Sequence, residues 1–172
     1  MTRLRLRPLR AGDKAAFLAA HEVMAADGFT FGLEFEPGMA WDAYLAKLEN
    51  HRRGVNLPDG WVPNTFLVAD VAATIVGRVS IRHVLNDALR RKGGHIGYGV
   101  LPPYRRRGYA TEILRQSLVI ARDLGIGLAL VTCDGDNTAS VKTIERCGGK
   151  LESVIGASVE RAPTRRYWIE CG

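Results

Sequence analysis

The sequence predicts an α/β fold with mostly consecutive antiparallel strands and one βαβ unit near the middle. Three observations carry this. The amino-terminal "MTRLRLRPLR" alternates Leu4 and Leu6 with Arg3, Arg5 and Arg7, the two-residue period of a half-buried strand. Two strand-like runs, "NTFLVADV" (64–71) and "TIVGRVSIRHVL" (74–85), are joined by "AA" alone, which reads as a tight hairpin. Between and after such runs come helical stripes: Phe17, Ala20 and Met24, then Leu114, Leu118 and Ala121.

The elements follow in order. After the first strand, residues 11–28 read as a helix stopped at Gly28. "FTFGLEFEPGMAWDAYLAKLENHRRG" suggests a loop and then a helix from about Trp41 to His51, with "VNLPDGWVP" as loop. Behind the hairpin, "NDALRRKGG" reads as an irregular connection and "HIGYGVLP" (95–102) as a strand. A helix is expected from about Gly108 to Leu124, with Arg115 and Arg122 outside. "GLALVTCD" has the continuous apolar character of a buried strand. "NTASVKTIERCGG" reads as a short helix with Asn137 at its start and Gly148 at its end. "KLESVIG" and "TRRYWIE" close the chain as strands, Tyr167 and Ile169 sharing one face of the last. No repeat or linker divides the chain, so residues 1–172 are read as one domain.

Composition narrows the function. The chain is 47% apolar and 24% charged, as globular proteins are. Its longest apolar runs are too short to span a bilayer, and the amino terminus lacks the apolar region of a signal peptide, so no membrane role is expected. Cys133, Cys147 and Cys171 fit neither a disulfide framework nor a zinc site; reduced thiols in a cytoplasmic protein, with no metal, are the plain reading. A net charge of +6 points to anionic partners, either phosphate-bearing small molecules or nucleic acid.

The densest positive charge decides between them. In "GYGVLPPYRRRGYATEIL", Arg105, Arg106 and Arg107 stand directly before the expected helix. A helix start offers unpartnered N–H groups and a partial positive charge, and phosphate is their natural ligand. Gly108 and Ala110 leave room for a close backbone approach. The chain has no GxxxxGK phosphate loop, and Pro102 stands where a dinucleotide fingerprint needs its third glycine. A nucleic-acid surface would spread its charge along a face or interleave exposed aromatics, so that reading is disfavoured.

What remains is Gln/Arg-x-x-Gly-x-Gly/Ala, met by Arg105, Gly108 and Ala110 between a strand and a helix. With "VLPP" before it and "DNTASVKTIERCGG" after it, the chain resembles the GNAT superfamily of N-acetyltransferases from about Leu4 to Glu170. "RHVLND", "GGHIGYGV" and "RYWIE" resemble a group of acetyltransferases of undefined acceptor. The resemblance implies a mostly antiparallel sheet with a splayed central strand pair, helices on both faces, and a bulge in the strand before the arginine turn. It implies an acetyl-CoA site made of Arg105, Arg106, Arg107, Gly108, Tyr109, Ala110 and Thr111 at the pyrophosphate, with Val100, Asn137 and Ser140 near the pantetheine. It also implies that the Val100 N–H polarises the thioester carbonyl, a role that can matter about 100- to 1000-fold.

The chain departs from the family at Ile144, where many members carry a tyrosine that protonates the departing thiolate. Ser140, Cys133 and Tyr98 are the substitute donors, and a thiol of pKa about 8.5 can also leave unassisted. For the base that takes up the amine's proton, His83 and His95 are the candidates, each with a structural alternative at its strand end. Glu34, Glu36 and Asp42 rank behind them, and His21 and His51 look ordinary. The acids and aromatics of "EFEPGMAWDAY" and "DGWVP" would suit a cationic amine, or would simply close over core. The expected function is acetyl transfer from acetyl-CoA to the amine of a small or amino-acid-like molecule, with a protein amine and a homodimer left open. The alternatives are a CoA-binding protein without catalysis and a basic nucleic-acid-binding module.

Overall fold

In the computed structural model, which describes residues 3–156 and 158–172, the amino-terminal alternation becomes strand β1 (Arg5–Arg7). Met1 and Thr2, part of the segment read as strand, lie outside the described residues. Helix α1 (Lys14–Ala26) buries Phe17, Ala20 and Met24, as their spacing predicts. Helix α2 (Trp41–Arg53) ends on Gly54 at φ 70°. The hairpin is β2 (Asn64–Val71) and β3 (Thr74–Arg82). Where an irregular connection was expected there is a short helix, α3 (Asp87–Arg91); the Asn86 side chain caps it by accepting from the Leu89 N–H at 2.9 Å. Then follow β4 (Ile96–Val100), α4 (Tyr109–Asp123), β5 (Leu128–Asp134), α5 (Thr138–Arg146), β6 (Lys150–Ile155) and β7 (Thr164–Glu170).

The strands form two sheets, β1-β2-β3-β4 and β5-β7-β6, with every ladder antiparallel. The unit β4-α4-β5 therefore crosses between sheets and closes no ladder of its own: its two strands are the splayed pair. The implied bulge in β4 is absent. β4 runs in unbroken register with β3 from Ile96–Ile81 to Val100–Gly77, and the register shift lies between β2 and β3 at Ala69/Asp70.

Helices cover both faces. On one, Phe17 and Met24 of α1 and Tyr44 and Leu48 of α2 pack with Phe66 and Val68 of β2. On the other, Ile113 and Leu114 of α4 and Ile144 of α5 pack with Val79, Ile81 and Ile96, and with Tyr167 and Ile169 of β7. Burying one such aliphatic or aromatic side chain is worth about 1.5–3 kcal/mol.

The two sheets meet at one place. The Gly93 N–H donates to Thr132 Oγ1 at 2.8 Å, and the His95 N–H to the Leu130 carbonyl at 2.7 Å. The Leu130 N–H answers by donating to His95 Nδ1 at 2.9 Å, a ring nitrogen standing where a ladder would place a carbonyl. Gly94 is required here: it sits at φ 61°, and a Cβ would lie 2.3 Å from the Leu130 carbonyl oxygen. Beyond this clasp β4 and β5 diverge.

His95 is buried, and burial pushes its imidazole down to about 4, helped by the nearby Arg90 and Arg82. Protonation would put a hydrogen on the nitrogen that accepts from Leu130. Because the folded value lies below the ordinary value of about 6.5, the unfolded chain binds more protons between the two. The stability this ring contributes is complete above about pH 6.5 and is lost as pH falls towards 4. Denaturant unfolding across that window should show the acid limb in the parent and lose it in His95→Asn, whose Oδ1 keeps an acceptor in place. His95→Leu should cost about 1–3 kcal/mol at pH 7 by stranding the Leu130 N–H.

The hairpin turn gives a second stability prediction. Ala72 and Ala73 sit at φ 51° and 64°, the mirror-image turn that a two-residue hairpin demands and that alanine resists. Replacing them with Asn-Gly should raise stability by about 1–2 kcal/mol in denaturant unfolding, because left-handed backbone costs an alanine roughly that much.

Candidate functional site

The arginine turn has the local geometry of an anion seat. Arg106 at φ 61° and Gly108 at φ 79° reverse the backbone twice ahead of α4. Within the chain, the N–H groups of residues 106 to 111 have no hydrogen-bond partner among the described residues. Open space faces Gly108: a Cβ built there meets nothing within 4 Å. These features fit a phosphorylated group arriving from solvent. Arg106 and Arg107 are exposed, and the Arg107 guanidinium lies 5.7 Å from the Tyr104 ring centre.

Arg105 does something else. Its Nε donates to the Val100 carbonyl at 3.0 Å, and its guanidinium pairs with Asp27 just beyond α1. Of the three arginine side chains, this one is turned back onto the protein and ties the end of β4 towards α1.

The register of β4 places its backbone groups. Arg82 donates to the His95 carbonyl at 2.7 Å and Leu101 to the Val76 carbonyl at 2.9 Å, so the bonded pairs with β3 fall at residues 95, 97, 99 and 101. The N–H groups of Ile96, Tyr98 and Val100 consequently point away from β3, into the gap opening towards β5. On the helix side of the gap, the Tyr98 hydroxyl meets Ser140 Oγ of α5 at 3.2 Å. Burial pushes the Tyr98 hydroxyl up to about 12, so it holds its proton at neutral pH. Asn137 caps α5 by accepting from the Ser140 N–H at 3.1 Å. Ile144 is fully buried, a Cβ at Gly149 falling 2.4 Å from its Cγ2. Burial raises the Cys133 thiol to about 11 and raises Cys147 as well, so neither is a thiolate near neutrality.

The sequence-derived base candidates lie apart. His95 belongs to the clasp, with Nδ1 occupied. His83 meets Thr65 Oγ1 through Nε2 at 2.8 Å, and burial lowers its pKa. It lies one residue past the end of β3, against Thr65, whose partner on β3 is Ile81. Phe35, Trp41 and Tyr44, for which a cationic-amine site and closure over core were both open, pack around Phe17 with ring centres 5.1, 5.1 and 5.3 Å away. Glu34 lies 3.5 Å from Lys47 Nζ and 2.8 Å from His51 Nε2, and the His51 ring in turn lies against Trp61. Burial outweighs Glu34 and lowers the His51 pKa.

Sequence reasoning missed a cavity of about 200 Å³ on the α1–α2 face of the first sheet, where Asn64, Ser80, Arg82 and Asn86 meet a largely apolar lining that includes Leu33 and Trp61. The alternation of β3 puts Arg78, Ser80 and Arg82 on that face, and this was the available signal. Among the described residues there is no cluster of side chains suited to a metal ion, and no helix is long and apolar enough to cross a membrane.

This architecture is shared. Residues 3–150 match the model of the acetyltransferase (GNAT) domain. No curated protein matches the chain. Among solved structures, RimJ of Mycobacterium smegmatis in complex with CoA-disulfide superposes with a TM-score of 0.69 at 22% identity, covering 97% of this chain and 81% of its own. The yncA protein of Salmonella typhimurium, with acetyl-CoA as its cofactor, gives 0.65 at 16% identity over 98% and 94%. The microcin C7 self-immunity acetyltransferase MccE, in complex with acetyl-CoA and AMP, gives 0.68 at 16% identity over 97% and 92%. At these identities the structures share the fold, while the domain match spans most of the chain: the protein belongs to the GNAT acetyltransferase family.

Proposed function

We propose that this protein transfers an acetyl group from acetyl-CoA to the amine of a small, amino-acid-like molecule by direct attack. The observation that carries the reading is the conjunction of the unpartnered N–H row at 106 to 111 with a Val100 N–H aimed into the gap between β4 and β5. Bound acetyl-CoA would supply the activated acyl group as a thioester.

The chain's own residues divide the remaining tasks. Backbone N–H groups from Arg106 to Thr111, with Arg106 and Arg107 beside them, hold the pyrophosphate. Arg105 fixes the end of β4 through Val100 and Asp27. The Val100 N–H meets the negative charge that develops on the carbonyl oxygen, at no cost in reorganisation because the strand register already holds it. Tyr98, protonated and steadied by Ser140, is the hydroxyl that hands a proton to the leaving sulfur in place of the tyrosine missing at Ile144. Asn137 acts by capping α5 and so placing Ser140. His95 and His83 take no part in the proton transfers of this reading: the acceptor amine enters unprotonated, the proton it loses on forming the amide passes to water, and water returns one to the Tyr98 oxygen after the sulfur has taken its proton.

Calorimetry tests the cofactor seat. Gly108→Glu adds a side chain and a negative charge where the pyrophosphate lies, and should weaken acetyl-CoA binding at least about tenfold in a folded variant. Unchanged affinity would misplace the site. Release of free thiol tests the chemistry: Tyr98→Phe should lower kcat by roughly 100-fold with KM for acetyl-CoA little changed. Ser140→Ala should lower it less, since it removes only the partner. If Tyr98→Phe turned over normally, the sulfur would leave unassisted.

A further inference from the structure

The cavity on the α1–α2 face carries more positive charge than its surroundings balance. Arg78 is 8% exposed, and its guanidinium reaches only main-chain carbonyls, those of Thr30 at 2.6 Å and Gly97 at 3.3 Å. Phe29 and Phe66 lie 4.6 and 5.7 Å from it, and its Nε has no partner. Arg82 donates to the carbonyls of Gly93 and Gly94 at 3.0 and 3.4 Å. Among the described residues, neither arginine has a carboxylate within salt-bridge distance. Burial lowers the Arg78 guanidinium to about 10, with repulsion from Arg82 adding to it, and burial lowers Arg82 too. The acid next to the cavity's Leu33, Glu34, is already engaged by Lys47 and His51.

Carbonyl dipoles and ring faces offset part of the desolvation cost of such charges but supply no counter-charge. Two oxygens beside Arg82 repeat the pattern. Ser80 and Asn64 are lining residues of the cavity, 1% and 3% exposed, and their buried Oγ and Oδ1 have no hydrogen-bond partner. Buried polar atoms are almost always satisfied. The residues lining this one space thus include a guanidinium with donors to spare, a hydroxyl able to donate and an amide oxygen able to accept. Their shared complement is a carboxylate, which takes the fork and the hydroxyl, on a molecule that also carries an N–H.

The cavity also stands at a useful distance from the gap. Arg82 lies over the bare backbone of Gly97, where a Cβ would fall 3.2 Å from its Nη1. Val100 is three residues further along the same strand, roughly 10 Å at ~3.3 Å per residue. We infer that the acceptor is an amine bearing a carboxylate several bonds away, and that Arg82, Ser80 and Asn64, with Arg78 behind them, bind its acid end. This rests on the acetyltransferase reading above and narrows its substrate to amino acids whose reacting amine is distal to the acid. It reverses the expectation of a cationic acceptor, since two arginines repel a diamine.

Matched probes isolate the carboxylate: lysine against cadaverine, and ornithine against putrescine, each pair differing by that group alone. Calorimetry with the CoA-loaded protein and thiol release with acetyl-CoA are both read. The acid of each pair should bind at least tenfold more tightly and show the higher kcat/KM. In Arg82→Gln, checked for folding by thermal unfolding, the lysine-to-cadaverine ratio should fall towards one, and Arg82→Lys should restore it in part. Ser80→Ala, a smaller change, should reduce the ratio in the same direction. Diamines bound and acetylated as well as the acids would overturn the inference while leaving acetyl transfer standing. Binding of neither member, with acetyl-CoA still bound, would also overturn it, and so would phosphoethanolamine outcompeting lysine. Failure to bind acetyl-CoA would instead overturn the acetyltransferase reading itself.

Discussion

Everything that this protein does with its central gap depends on the clasp between Gly93–His95 and Leu130–Thr132. A mixed sheet could have run unbroken from β4 into β5. Here the Leu130 N–H is taken by an imidazole nitrogen instead of a carbonyl, so the ladder stops after one residue and the strands part. The same event leaves the outward N–H groups of β4 unpaired as far as Val100. The Val100 N–H, the oxyanion donor of the proposed mechanism, is thus left free by a sheet that fails to close, and it is rigid because β3 holds the other edge of β4. Arg105 then anchors the free end, bonding the Val100 carbonyl while pairing with Asp27.

Charge is distributed along this gap in two different states. Some arginines are neutralised locally, as Arg7 is by Asp13 and Asp70. Arg106 and Arg107 are left free in water at the mouth of α4, where a screened, mobile charge can meet phosphate without a large desolvation cost. Arg78 and Arg82 are withdrawn from water on the other side of β4, where each interaction with an anion is stronger and more selective. These four arginines therefore sit in two physical environments, an exposed one at the mouth of α4 and a shielded one beside β4.

How much of this was legible follows from what periodicity can encode. Element order, the two helical stripes and the small residues at Gly108 and Ala110 are local properties, and the structure has them where the sequence puts them. The asparagine cap of α3 was equally local, in "NDAL", but the glycines after it masked a helix of five residues. The site's polar half was not local. The alternation in "GRVSIR" says that Arg78, Ser80 and Arg82 share a face, yet not what covers that face. Phe29, Trp61 and α3 cover it, so Arg78 is buried and Arg82 is partly buried. In the same way the rings near Trp41 left two readings open, and it is their packing around Phe17 that decides for core.

The fate of the missing tyrosine shows why a site is better read from geometry than from one position of a pattern. A hydroxyl at residue 144 would have to replace a side chain that is wholly buried between α5 and the sheets, so restoring it would disturb the core before it helped the chemistry. Tyr98 approaches the gap from the strand, where its backbone is fixed by the pairing with Val79, and Ser140 meets it from the helix. A donor on β4 moves with the Val100 N–H two residues away, since both belong to one strand. In the proposed mechanism the acid and the oxyanion donor are then set by a single rigid element, and the partner on α5 need only keep the hydroxyl in place.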